Sequence, residues 1–258
     1  MAPGRIEIMA GRGSFTEAFD LFGYDLDNYD ELFKEKLDML VEINRNEILD
    51  WPQGKFTPKV DHIGIYPRPK KPLKISLATG GNPNSTIRAA EMGLPIVYAI
   101  IGGQMDAFKP LVQLYRVVAE KTGHKLSEMP VSAHSWGWLS DDKEKAIKEY
   151  FYPTKLLVDT ISKERPQWTG MTYEQYLESI GENGVIFVGD ADTVADKIIK
   201  MMELLGLKRF YLHLPIASMP HKDVLKAIEI YGKEVVPKVK KYFKDKSKLN
   251  DFSIKWKE

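Results

Sequence analysis

Two stretches of this chain hold residue types able to grip an anion. The first is Gly11-Arg12-Gly13, directly after the run Ile6-Glu7-Ile8-Met9-Ala10. The second is residues 74–95, KISLATGGNPNSTIRAAEMGLP, where a short apolar run meets a Gly-rich turn and then a helical pattern stopped by Gly93 and Pro95. A helix start leaves its first N–H groups without intrahelical partners and carries partial positive charge, so it suits a phosphate. Gly80 and Gly81 let the backbone come close, while Asn82, Asn84, Ser85 and Thr86 add donors or caps. Taken alone, the second stretch reads first as a capped strand-to-helix connection, and Arg12 as one half of a surface salt bridge. Together they read differently. Both turns follow consecutive strands, and in a (β/α) barrel all such turns open on one face. A guanidinium fork beside a helix N-terminus makes a phosphate clamp.

Other chemistry is thinly represented. The five histidines, His62, His124, His134, His213 and His221, form no H-E-x-x-H or similar ligand pair. His134 and His213 fall on predicted strands and are the better candidates for facing a pocket. No G-x-G-x-x-G follows a strand, no G-x-x-x-x-G-K-[ST] is present, and no G-x-S-x-G elbow appears. With no cysteine, disulfides, Cys-ligated zinc and thiol catalysis are excluded.

The elements that must position these groups alternate. Strands are predicted over 5–10, 74–78, 96–101, 131–139 and 209–214, with a short extended piece over 185–188. Helices are predicted over 27–44, 106–121 and 141–163, from 190 and from 219, the last kinked or restarted at Pro237. Residues 15–24 read as a loop, 46–71 as a long Pro-rich connection, and 165–184 as a less regular insertion. The strands read as continuous apolar runs, the pattern of a parallel sheet covered on both faces.

The chain has 258 residues, 43% hydrophobic and 28% charged, with a formal net charge of +1. Near-zero net charge argues against nucleic acid as a partner, and no apolar run is long enough to span a membrane. The N-terminus lacks the apolar core of a signal peptide, which makes the cytoplasm the default location. Residues 1–243 read as one domain, with 244–258 as a Lys-rich tail. Its lysines suit a solvated helix end.

The runs GRIEIMAGRGSFTEAFDLFGYDL, YPRP, GGNPNSTIRAAEMGLP, IIGG and FVGDADTVADKI, in this order and spacing, resemble the bacterial luciferase-like flavin-dependent monooxygenases. The resemblance runs from about Gly4 to Val236 and implies an α/β fold of the (β/α)8 TIM-barrel type with an insertion, here matching residues 165–184. It also implies a reduced flavin cofactor, FMN or alternatively the deazaflavin F420, that meets O2 and oxidises a small organic substrate. Arg12, Gly81, Asn82 and Ser85 are then the expected contacts of the flavin phosphate. No catalytic base is assigned.

The resemblance makes the strand over 5–10 the fourth of eight, so the barrel is expected to be incomplete: five C-terminal strands plus the insertion, without the first three βα units. The sheet should be open, with the strands over 5–10 and 209–214 at its edges and Ile75, Leu77 and Val97 exposed on its inner face. Open edges favour association, hence a homo-oligomer. Two other readings stand beside the enzyme: a non-catalytic remnant or split-barrel partner that binds flavin weakly, and a sugar-phosphate barrel enzyme, which explains the clamp but not FVGDADTVADKI.

Overall fold

The computed structural model describes residues 4–13, 16–164 and 169–245. In chain order, β1 (Glu7–Ala10) leads through α1 (Glu17–Phe22) to α2 (Tyr29–Arg45), then to the hairpin of β2 (Ile48–Trp51) and β3 (Val60–Gly64). Next come β4 (Lys74–Thr79), α3 (Pro83–Glu91), β5 (Ile96–Ala99), α4 (Lys109–Lys121), β6 (Val131–Leu139) and α5 (Lys143–Glu164). The chain closes with α6 (Tyr173–Ile180), β7 (Phe187–Gly189), α7 (Ala191–Leu205), β8 (Arg209–His213), α8 (His221–Ile230) and α9 (Val236–Asp245).

Five strands, in the order β1-β4-β5-β6-β8, pair in parallel as a curled half-barrel. The short β7 pairs with the C-terminal half of β6, Gly137–Leu139. As the sequence predicts, β1 lies at one edge and β8 at the other. The curl brings inward-facing side chains of the two edges together: Arg209 on β8 donates to Glu7 on β1 at 2.6 Å, and Lys74 on β4 lies 3.6 Å from the same carboxylate. Glu7 is therefore held below the ordinary carboxylate range, first by Arg209 and then by Lys74.

The register decides what each face carries. Met9 aligns with Ser76, Ala78 with Val97, Ala99 with His134, and Trp136 with His213. These residues share the concave face. The alternate set, with Ile75, Leu77, Ile96 and Tyr98, faces α3 and α4 and is fully buried. Ile75 and Leu77 are thus not exposed on the inner face as expected; they lie under helices, and only Val97 of the three points inward, where it too is buried. Across β1 and β4 the burial alternates residue by residue. One sheet face is open there, contrary to the reading that both are covered.

Three further segments differ from the sequence reading. Residues 17–22, expected as a loop, form α1, a helix with no buried residue, closed by Gly23 in the left-handed region at φ 67°. With no apolar stripe, it leaves no periodic signal. The Pro-rich 46–71 stretch contains the β2–β3 hairpin. Its turn is tied to α2 by the Glu35 carboxylate, which accepts from the Lys55 and Phe56 amides and the Thr57 hydroxyl. Within 165–184, the part over 165–168 lies outside the described residues. The remainder holds α6, started by a capping box between Thr172 and Gln175 and anchored by fully buried Tyr176. Just before Pro237, the π-turn over Tyr231–Val235 separates α8 from α9, where the ring cannot supply a helical N–H. The Lys-rich tail beyond residue 245 lies outside the described residues.

Candidate cofactor and substrate cavity

The turns that follow β1, β4, β5 and β8 open at one end of the half-barrel, the C-terminal end of its strands. They enclose a cavity of about 860 Å³. Gly11, Arg12 and Gly13 border it from β1, Thr79, Gly80 and Asn82 from β4, Ile101 and Gly102 from β5, and Pro215, Ile216 and Ala217 from β8. His134 and Trp136 rise into it from β6, His213 from β8, and Leu157 and Ile161 cover it from α5. Ala217 holds φ at 45°, a left-handed conformation that costs a non-glycine residue energy and is often retained at ligand sites.

Arg12 and Asn82, 70 positions apart in sequence, therefore border one cavity. Arg12 is mostly covered. Its guanidinium pairs through one nitrogen with Asp30 and stacks on the Tyr29 ring at 4.6 Å. Tyr29 is itself held by its hydroxyl on the Gly13 carbonyl at 2.8 Å. These are the contacts of Arg12 among the described residues, so the rest of its fork remains available to a ligand. Neither Tyr29 nor Asp30 was singled out from sequence; both stand at the start of α2, with no local signal tying them to Arg12.

At the second turn, Asn82 is the N-cap of α3: its side chain accepts the Ser85 amide at 3.1 Å, while its own amide donates to Thr79 Oγ1. Ser85 is buried behind the rim. Gly81 also sits behind it at φ 104°, and a Cβ there would lie 3.3 Å from the Phe108 ring. Pro83 brings no N–H and that of Ser85 is used, so an anion at this corner leans on Arg12 and the glycine backbone more than on the helix's first turn. Gly80 leaves space: among the described residues nothing lies within 4 Å of where its Cβ would be. A covered cation with unused donors, an open glycine and a cavity of this size fit a phosphate-bearing ring cofactor.

On the opposite wall, His134 and His213 bring their ring centroids within 5.4 Å. Burial pushes both imidazoles below their ordinary value. His213 reinforces the effect on His134, while a hydrogen bond to the Pro215 carbonyl partly restores His213. Both are neutral at pH 7. The sequence placed these two histidines on strands; the register puts them on one face as diagonal neighbours. Trp136 was on the same predicted strand, and the two-residue period from His134 was the signal that it faces inward too.

Comparison with known proteins agrees with this architecture. The crystal structure of monooxygenase RslO1 from Streptomyces bottropensis superimposes with a TM-score of 0.72 at 18% identity, covering 91% of this chain and 69% of that one. The oxygenating constituent of 3,6-diketocamphane monooxygenase from Pseudomonas putida, in complex with FMN, gives 0.67 at 19% identity, covering 92% and 71%. An F420-dependent secondary alcohol dehydrogenase, in complex with an F420-acetone adduct, gives 0.67 at 19% identity, covering 92% and 70%. In sequence, the uncharacterized protein y4vJ of Sinorhizobium fredii is 21% identical over 253 residues, covering 93% of this chain and 71% of its own length. No helix among the described residues is long and apolar enough to cross a membrane. The luciferase-like monooxygenase family profile matches residues 1–209, and the chain belongs to that family.

Proposed function

We propose that this chain binds a flavin-type cofactor, FMN or F420, and oxidises a small organic substrate beside it. The observation that carries this reading is the meeting of Arg12 and the capped start of α3 on the rim of one cavity of about 860 Å³. When bound, such a cofactor supplies the redox chemistry, and the protein supplies binding, orientation and exclusion of water. Arg12 would hold the phosphate by a charge-assisted contact, kept in place by the Tyr29 stack. Asn82 and Ser85 would shape the corner by capping α3, and Gly81 by turning the chain there. Trp136, Leu157 and Ile161 would wall the cavity with apolar surface.

Calorimetry on Arg12→Ala tests the clamp. FMN and riboflavin share the ring, but only FMN carries the phosphate. Losing a charge-assisted contact costs about 1.5–3 kcal/mol, which is a loss of roughly 10- to 150-fold in FMN affinity with riboflavin nearly unchanged. Equal losses for both ligands would remove Arg12 from the phosphate site.

A second reading, a non-catalytic binder or one partner of a split barrel, is favoured by the open concave face: Met9 on β1 is 46% exposed, so the β1 side of the half-barrel gives a bound ring little cover. Under this reading FMN binds weakly and its fluorescence stays near that in water. Tight binding with strong quenching would exclude it.

A further inference from the structure

We propose that His134 and His213 form the recognition point for a hydroxyl group on the substrate, a site that both accepts and donates a hydrogen bond at one oxygen. The proposal rests on the reading of the cavity as a cofactor and substrate site. The Pro215 carbonyl, beside it on the cavity wall, favours the His213 tautomer with a ring N–H turned toward that oxygen. Its other nitrogen then carries a lone pair, which only a donor can satisfy. His134 lines the same cavity, and among the described residues its ring makes no hydrogen bond, only the contact with His213 at 5.4 Å. A neutral imidazole keeps one N–H to donate.

An oxygen seated between the two rings can therefore donate to His213 and accept from His134. A hydroxyl does both. A ketone or an ether oxygen can satisfy His134 alone and leaves the His213 lone pair without a donor, the kind of mismatch by which sites built around a hydrogen bond reject analogues. A carboxylate has no donor either, and the neutral pair gives it no counter-charge. The surrounding walls, Ala99, Trp136, Ile161 and Ile216, are apolar, so the matching ligand is a compact hydrocarbon bearing one alcohol.

The test uses the full chain with its histidine rings isotopically labelled, titrated by NMR at pH 7.5 with cyclohexanol, cyclohexanone and methoxycyclohexane. The ring signals are assigned from His134→Phe and His213→Phe. The expected result is a saturable shift of both His134 and His213 with the alcohol, and affinity for the ketone and the ether about tenfold weaker or more. His213→Phe should abolish this preference while leaving ether binding in place. Equal binding of the three probes, no shift with the alcohol, or shifts confined to His62, His124 and His221 would each overturn the proposal. Because wild-type protein alone discriminates the probes, a variant that fails to fold does not rescue it. No cofactor is present in the titration, so failure of the Arg12 test on FMN and failure here are separate results.

Discussion

Lys197 should make this protein more stable as the pH rises above neutrality. It lies on α7 with 7% of its surface exposed and pairs with no carboxylate among the described residues. Its ammonium donates to the carbonyls of Ile180, at 2.9 Å, and Ile186, at 2.7 Å, and sits 5.2 Å from the centre of the Phe187 ring. Burial, with a smaller contribution from Lys200, pushes its pKa from 10.5 down to about 7. Below pH 7 both folded and unfolded chains carry the proton, and the folded state bears the whole penalty. A difference of 3.5 units is about 5 kcal/mol at 1.36 kcal/mol per unit. Between pH 7 and 10.5 the unfolded chain holds a proton that the folded chain has released, so stability climbs with pH, and above 10.5 the penalty is gone. Urea unfolding from pH 7 to 9.5 samples most of that range, about 3 kcal/mol of the climb. His134 and His213, held below their ordinary 6.5, make their own contribution at lower pH and stay out of this window. Lys208, which burial also lowers, rises in the same direction, and for that reason the comparison is with Lys197→Met. The variant leaves two carbonyls without their donor, which shifts its whole curve. The difference in slope is what isolates the titration. Parallel curves for the two proteins would refute the reasoning.

Three other outcomes can be checked on the same material. Asp30→Ala removes the carboxylate that shares Arg12 and would repel a phosphate there; FMN should bind about two- to fivefold tighter with riboflavin unchanged, and weaker FMN binding would make Asp30 a support for Arg12 instead. Gly137→Ala places a Cβ 2.3 Å from the Phe187 carbonyl and 2.5 Å from Leu212, where β6 passes β7 and β8; the backbone oxygen cannot yield, so the urea midpoint should fall by the equivalent of about 1–3 kcal/mol. The edge of β1, flanked by exposed Ile6 and Met9, and the exposed Leu225 and Ile228 of α8 favour association; sedimentation should show species larger than a monomer, and a single monomeric boundary at high concentration would contradict this.

Some of this architecture was legible because it rests on short-range rules. A Gly-rich turn after an apolar run, followed by Asn82 and Ser85, specifies the cap of α3 within a few residues, and consecutive parallel strands make the turns after β1 and β4 neighbours. Which face each strand residue takes is set by a subtler pattern. Residues 75–78 read as a continuous apolar run, yet Ser76 and Ala78 are the small members of an alternation whose large members, Ile75 and Leu77, lie under helices. Small residues leave room for the cavity, so the apolar content hid the period that mattered. The contacts around Arg12 were beyond local reading, since Asp30 lies 18 residues away and is brought in by the docking of α2.

Lys197 shows the opposite case, a signal that was present and easily passed over. Val194, Ile198, Met201, Met202 and Leu205 mark the buried face of α7, and position 197 falls three after Val194 and four before Met201, on that same stripe. A lysine there is either paired or shifted. Its two acceptors come from the ends of the 181–186 connection, which also reaches the turn after β5 through Asn183, whose carbonyl accepts the Met105 amide at 3.1 Å. That turn carries Gly102 and Phe108 on the cavity wall. The buried ammonium thus stands two contacts from the cavity, and the geometry of the α6–β7 connection passes through it. A change in the proton on this core lysine would therefore be expected to reach the side of the cavity beside the phosphate corner, where the Phe108 ring packs 3.3 Å from the Cβ position of Gly81. If it does, Lys197→Met should alter hydrogen exchange at the Met105 amide as well as the slope of stability with pH. Unchanged exchange at Met105 would confine the role of Lys197 to the stability of α7 itself.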